Sequence, residues 1–229
     1  MTVMTFNCVT RAGESLRDFV IQDVVIAGWT GRDRDAVESH IIELEELGVK
    51  RPATVPCYYF VSDDRLTQQA HIQVVGSDSS GEIEFFLLND GEYLWVGIGS
   101  DHTDRKVETY DITVSKQICA KPVSRTIWPL DEVREHWDQL ELHAWREDDQ
   151  GQQVPYQQGR VSAMLPPDDL IDRFCTTYGA TFDKGTLMFC GTLAAIGGIQ
   201  PSREMVLELK DPVLQRDITF HYAVVDISR

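Results

Sequence analysis

The run Gly81-Glu82-Ile83-Glu84-Phe85-Phe86-Leu87-Leu88 constrains this chain more than any other stretch. From Phe85 onward it is apolar at every position. Neighbouring residues on a strand face opposite ways, so such a strand must be covered on both faces. The same alternation points Glu82 and Glu84 in one direction, side by side at the mouth of an apolar strand. Two adjacent carboxylates there are unfavourable unless something positive neutralises them, and a hard divalent cation would do so. A third acidic candidate, Asp101, follows in Gly97-Ile98-Gly99-Ser100-Asp101-His102-Thr103-Asp104-Arg105. At this point the alternative stays open that Glu82 and Glu84 are the solvated end of an edge strand.

The 229 residues show no break in composition. They are read as one catalytic domain over 1–229, with N-terminal strands in 1–27 and the core in 28–229. Lys and Arg number 21 against 37 Asp and Glu, a net charge of −16, and no basic stretch interleaved with aromatics offsets this. That balance argues against nucleic acid or an anionic membrane surface as partner. The start, Met1-Thr2-Val3-Met4-Thr5-Phe6-Asn7, lacks the order of a signal peptide. No apolar run reaches the roughly 18 residues that span a bilayer, so the expectation is a soluble cytoplasmic protein. Five cysteines, with no Cys-x-x-Cys pair, suit reduced thiols rather than a zinc site or a disulfide scaffold.

Strand signals recur at Met4–Val9, Phe19–Ile21 and Val24–Gly28. A helix follows, with a start signal at Asp35-Ala36-Val37-Glu38, an apolar stripe of Val37, Ile41 and Leu44, and a stop at Gly48. Short apolar runs then alternate with loops at Tyr58–Phe60, His71–Val75, Glu82–Leu88 and Tyr93–Ile98. A short helix over Leu130–Leu140 leads to a hairpin of Leu140–Trp145 and Val154–Met164. Pro166-Pro167-Asp168-Asp169 opens a helix to Tyr178, and strands close the chain at Thr186–Cys190, Glu204–Leu209 and Ile218–Ile227. The class is α+β with a large mixed sheet.

His40 and Glu43 stand three apart on the first helix, where a carboxylate can orient an imidazole and raise its basicity. A general base needs that arrangement, although an acidic amphipathic helix also carries such residues on its solvated face. The order of segments supplies context. His40 and Glu43 precede the Pro-containing stretch Arg51-Pro52-Ala53-Thr54-Val55-Pro56-Cys57-Tyr58-Tyr59-Phe60. The Glu82-Ile83-Glu84 strand follows, then Asp101 four residues before Arg105, and Glu108 three further on. Lys121 comes next in Ala120-Lys121-Pro122-Val123-Ser124-Arg125-Thr126. Last are the Gln-containing stretch Val154–Met164 and Asp183–Thr192, with its Gly191-Thr192 turn.

In that order, from about Gly28 to about Val225, the chain resembles the fumarylacetoacetase (fumarylacetoacetate hydrolase) superfamily, in an uncharacterised prokaryotic branch marked by Ser100–Arg105, Ser115-Lys116-Gln117 and Trp128. Two departures stand out: Glu108 replaces a frequent Gln, and the Lys that many relatives carry after the Pro-containing strand is missing near Tyr58 and Tyr59.

The resemblance implies a mixed β-sheet roll or partly open barrel of the fumarylacetoacetase C-terminal-domain type with few short helices, and a homodimer. It implies Mg²⁺ or Mn²⁺ held by Glu82, Glu84 and Asp101. His40, Glu43 and Lys121 would be catalytic, while Arg105, Glu108, Gly191 and Thr192 would hold substrate. His102, facing the other way from Asp101, is left to packing. The activity implied is metal-dependent hydrolysis of a carbon-carbon bond in a 2-oxo or 1,3-dicarbonyl acid, such as an acylpyruvate, through a metal-stabilised enolate. A lyase or isomerase (decarboxylase, hydratase or tautomerase) needs the same enolate and is the first rival. A non-catalytic binding protein is the second.

Overall fold

The computed structural model describes residues 1–46 and 51–228; the side chains of His40, Glu43, Leu44 and Glu46 also lie outside the described residues. The first strands are Thr2–Thr10 (β1), Gly13–Ile21 (β2) and Asp23–Gly28 (β3), followed by the helix Arg34–Glu46 (α1). Next come Cys57–Val61 (β4), Leu66–Thr67 (β5), His71–Val74 (β6), Ser79–Ser80 (β7), Ile83–Asn89 (β8), Leu94–Ser100 (β9) and Thr103–Asp104 (β10). Two short helices, Arg105–Glu108 (α2) and Ile112–Gln117 (α3), lead to Lys121–Pro122 (β11), Thr126–Pro129 (β12) and one helical turn, Leu130–Val133 (α4). The remainder is Glu141–Glu147 (β13), Gln153–Arg160 (β14), Pro167–Tyr178 (α5), Thr186–Thr192 (β15), Glu204–Asp211 (β16) and Arg216–Asp226 (β17). No described helix is long and apolar enough to cross a membrane.

An eight-stranded mixed sheet has the order β2-β1-β12-β9-β8-β15-β3-β4, and a five-stranded sheet the order β14-β13-β16-β17-β6. Central β8 is covered on both faces, as its sequence demands. Ile83, Phe85 and Leu87 join a core that includes Trp137, Leu142, Leu207 and Leu209, and so tie the large sheet to the smaller one. Phe86 and Leu88 face the other way, against Phe6, Phe19, Ile21 and Leu187. β1 stands three strands from β8, about 14 Å on a flat sheet at about 4.8 Å per strand, yet the rings of Phe6 and Phe86 are 6.2 Å apart. The sheet therefore curls, and the β1-β2 hairpin closes over its concave face. That is the roll the sequence led us to expect.

Several boundaries differ from the sequence reading for local reasons. α1 begins before Asp35, because Asp33 caps it by accepting from the backbone N–H groups of Asp35 and Ala36, each at 3.1 Å. Gly48, expected to end this helix, lies outside the described residues. The helix expected over Leu130–Leu140 is one α-helical turn followed by a 3₁₀ segment, Arg134–Gln139, broken at His136. The strand expected to run to Met164 stops at Arg160 and gives way to a 3₁₀ turn over Val161–Ala163. α2 and α3 went unread. Both are short and depend on aspartate caps: Asp104 accepts from Val107 N and Asp111 from Val114 N, each at 2.9 Å.

Candidate metal centre

The ladder between β8 and β9 explains why three carboxylates meet. Ile83 pairs with Ser100 and Glu84 with Gly99. One step beyond the strands, Asp101 N donates to Glu82 O at 3.0 Å, so these two residues are directly opposed and Glu84 follows on the same face. Carboxylate oxygens of Glu82, Glu84 and Asp101 all lie within 4.8 Å of one another. Glu84 and Asp101 are buried, and Glu82 keeps only 17 % of its side-chain surface. Among the described residues no other group of three such side chains converges in this way.

Two glycines make room for this arrangement. Gly191, at φ +94°, ends the straight run of β15, and a side chain there would collide with Thr30 Oγ1. Its amide donates to Glu84 Oε2 at 2.7 Å. At Gly81 a side chain would overlap the Tyr222 hydroxyl, 2.3 Å from where a Cβ would stand. That hydroxyl donates to Ser100 Oγ at 2.9 Å, and Ser100 Oγ accepts from Glu82 N at 3.1 Å. Gln157 braces the start of β8, accepting from Ile83 N at 2.9 Å and donating to Thr192 Oγ1 at 2.6 Å.

Three cations answer the carboxylates. Lys116, at the end of α3, bonds Asp101 Oδ2, and its ammonium lies 5.7 Å from the centre of the Tyr59 ring. Lys121 Nζ is 3.1 Å from Asp101 Oδ1 and donates to the carbonyl of His102. Arg105 spans Glu82 Oε1 at 3.0 Å and Glu108 Oε2 at 2.9 Å, and donates to Ser80 Oγ at 2.7 Å.

The electrostatics are uneven. Burial would raise the Asp101 carboxyl, but Lys116 and Lys121 reverse this and hold it well below the usual range. Burial also works against the Lys116 ammonium, yet Asp101 and Glu82 outweigh it and keep the group charged. Glu84 goes the other way: burial and the charge of Asp101 push its carboxyl well above the ordinary value. Burial likewise raises Glu82, with Arg105 pulling against it. One more positive charge among these oxygens would remove the imbalance.

The carboxylates open on a cavity of about 430 Å³. Glu82, Glu84, Asp101, Glu108 and Lys116 line it together with Trp29, Val37, Tyr59 and Ile112. Ala36 and Val37 bring α1 to the wall; the side chains of His40 and Glu43 on that helix are outside the described residues.

The remaining residues singled out from sequence fall into place unevenly. Lys121 is fully buried behind Asp101, away from the cavity wall, with burial pushing its ammonium down. Arg105 stands behind Glu82 and Glu108. Gly191 and Thr192 both line the cavity, where the Gly191 amide donates to Glu84 Oε2 and the Thr192 hydroxyl donates to Ile83 O at 2.6 Å. His102 is indeed turned away from the cavity, its ring between the Tyr222 hydroxyl at 3.1 Å and Ser79 Oγ at 3.0 Å. Burial and Lys121 lower its pKa to about 3, so it is neutral. Lys116, which the sequence marks only as part of Ser115-Lys116-Gln117, joins the site because α3 is capped by Asp111 five residues before it.

Solved structures share this architecture. Cg1458 aligns with a TM-score of 0.63 at 16% identity, over 92% of this chain and 80% of that one. Its inhibitor complex gives 0.65 at 17% identity, over 94% and 81%. A hexagonal form of 2-keto-3-deoxyarabinonate dehydratase gives 0.65 at 15%, over 93% and 77%. These are fumarylacetoacetate hydrolase-type folds, and at such identities the likeness establishes the fold alone. No curated protein sequence matches the chain. A family model described as "protein of unknown function (DUF2848)" matches residues 27–222, most of the chain, and the protein belongs to that family.

Proposed function

We propose that the protein is a divalent-cation-dependent enzyme acting on 2-oxo or 1,3-dicarbonyl acids, and that it hydrolyses a carbon-carbon bond in an acylpyruvate-like substrate. The observation that carries this reading is the convergence of Glu82, Glu84 and Asp101 within 4.8 Å at the edge of a cavity, with Lys116 fixed on one of them.

The donor set fits a hard cation. All three donors are carboxylate oxygens, their spacing suits an ion about 2.0–2.6 Å from each, and the carboxylates need charge that Lys116, Lys121 and Arg105 supply only in part. Mg²⁺ or Mn²⁺ matches such a set. When bound, the ion would act as a Lewis acid toward two adjacent substrate oxygens and hold the substrate in place.

The chain's own groups divide the remaining work. Lys116 reaches the cavity and would offset negative charge developing on a substrate oxygen. Lys121 and Arg105 act from behind, keeping Asp101 and Glu82 in position. His40, oriented by Glu43, would take a proton from water; Ala36 and Val37 of the same helix line the cavity, and His40 follows them by one turn in sequence.

A second reading is a lyase that removes water or carbon dioxide, a class that includes 2-keto-3-deoxyarabinonate dehydratase, which has a similar fold. Reaction in isotopically labelled water separates the two. A hydrolase places solvent oxygen in the newly formed carboxylate. Carbon dioxide release, or loss of water without a new carboxylate, would replace hydrolysis with the lyase reading.

A further inference from the structure

The part of the cavity away from the carboxylates bears on which acid enters. The wall follows the sheet order from β8 (Glu84) through the end of β15 (Gly191) and β3 (Gly28, Trp29) to β4 (Tyr59). A ligand held at the carboxylates therefore extends toward Trp29 and Tyr59. Trp29 stands at φ +60°, a left-handed conformation that a bulky residue rarely adopts and that glycine adopts freely. Gly28 and Gly31 lie on either side, yet the strained position carries the indole. Strain of this kind is kept where a side chain is needed in one place.

Tyr59 is fixed as well. Its hydroxyl accepts from the Cys57 thiol at 3.1 Å, and its ring lies 5.7 Å from the Lys116 ammonium. Val37 and Ile112 continue this apolar surface. Among the described residues of the lining, Lys116 is the only cation, and it is engaged by Asp101; Asp33, Glu82, Glu84, Asp101 and Glu108 are all acidic.

We propose that the cavity selects a 2-oxo acid with a single carboxylate and an uncharged apolar or aromatic arm, which lies against Trp29 and Tyr59. This rests on the function proposed above and narrows it. The aromatic wall gives an apolar arm a dry surface, whereas a second carboxylate would be stripped of water to face other carboxylates.

The test is calorimetric binding to the protein loaded with Mn²⁺, using three ligands: oxalate, 5-methyl-2-oxohexanoate, and 2-oxoglutarate, which matches the second acid in shape but ends in a carboxylate. Oxalate should bind only with the metal present. The branched acid should bind about tenfold or more tightly than 2-oxoglutarate, and Trp29→Ala should erase most of that gap while leaving oxalate unaffected. Trp29→Phe, which restores a ring, should recover part of it. Equal binding of the two longer acids by the native protein would overturn the proposed selectivity without touching the metal site. So would a Trp29→Ala variant that weakens all three ligands alike. Failure of oxalate to bind would overturn the metal reading, and this inference with it.

Discussion

Among the described residues, two largely buried clusters of charge differ in a way that separates structure from function. One joins His136, Asp211, Arg216 and Glu132 near the smaller sheet. Asp211 receives His136 Nε2 at 3.0 Å, Arg216 Nε at 3.4 Å, and the amides of Val213 and Leu214 at 3.1 and 3.0 Å. Arg216 also pairs with Glu132 at 2.9 Å and lies 4.4 Å from the centre of the Trp128 ring. Each carboxylate there has its answer. The other cluster, at the mouth of β8, holds Glu82, Glu84, Asp101 and Glu108 against Lys116, Lys121 and Arg105, and it leaves Glu84 with one amide and two acidic neighbours. Buried carboxylates that are each paired with a cation, as Asp211 and Glu132 are with Arg216, join elements; a buried carboxylate held by one amide beside a cavity, as Glu84 is, leaves room for a ligand.

The sharpest way to break this contrast is to remove one carboxylate from each cluster. Glu84→Ala should weaken Mn²⁺ binding by more than about 100-fold, beyond the 10–100-fold usual for residues that only support a metal ligand. The melting temperature of the metal-free protein should hold or rise, because the cost of burying the Glu84 carboxyl beside Asp101 is gone; calorimetry reads both quantities. Asp211→Asn should do the reverse, costing about 3 kcal/mol in denaturant unfolding with unchanged metal affinity, as expected when one member of a buried ion pair is lost. If Glu84→Ala unfolds the protein and Asp211→Asn does not, the assignment of the two clusters is inverted.

Lys116→Met sharpens the picture within the acidic cluster. It should lower kcat by about 100-fold, as for loss of one group that stabilises transition-state charge, while Mn²⁺ binding persists. Lys121→Met, by contrast, should act on metal affinity first, since Lys121 touches Asp101 from behind and does not reach the cavity.

The smallest effect concerns pH. Burial works to raise the Asp211 carboxyl, but the Leu214 amide and His136 draw it below its ordinary value. The folded group then titrates lower than the unfolded one, so its contribution is complete above about pH 4 and fades as pH falls through the folded value. Asp211→Asn should therefore flatten the acid limb of a plot of melting temperature against pH.

The carboxylate triad was legible because strand alternation acts over two residues: Glu82 and Glu84 share a face whatever the tertiary structure. The doubly covered β8 followed from Phe85-Phe86-Leu87-Leu88 for the same reason. Asp101 needed the β8-β9 register, which resemblance to relatives supplied and periodicity could not. Lys116 stands out in sequence only within Ser115-Lys116-Gln117, without a site role, because α3 is six residues long and is held by the Asp111 cap rather than by an apolar stripe. Sequence puts Lys121 near the site, and packing places it behind Asp101. Gly191 and Thr192 do reach the cavity wall, and only the folded chain shows their hydrogens directed to the Glu84 carboxylate and the Ile83 carbonyl. The roles of His40 and Glu43 still rest on their spacing along α1.

Metal-dependent turnover is the most direct test of a catalytic cation at Glu82, Glu84 and Asp101. A panel of acylpyruvates, oxaloacetate and other 2-oxo acids should be offered to the protein with Mg²⁺ or Mn²⁺, after chelator, and after the ion is restored. At least one acid should be consumed with the ion, spared in chelator, consumed again on its return, and left untouched by Glu84→Ala under all conditions. Full turnover in chelator, or turnover by Glu84→Ala equal to the native rate, would contradict the claim that Glu82, Glu84 and Asp101 hold a catalytic cation.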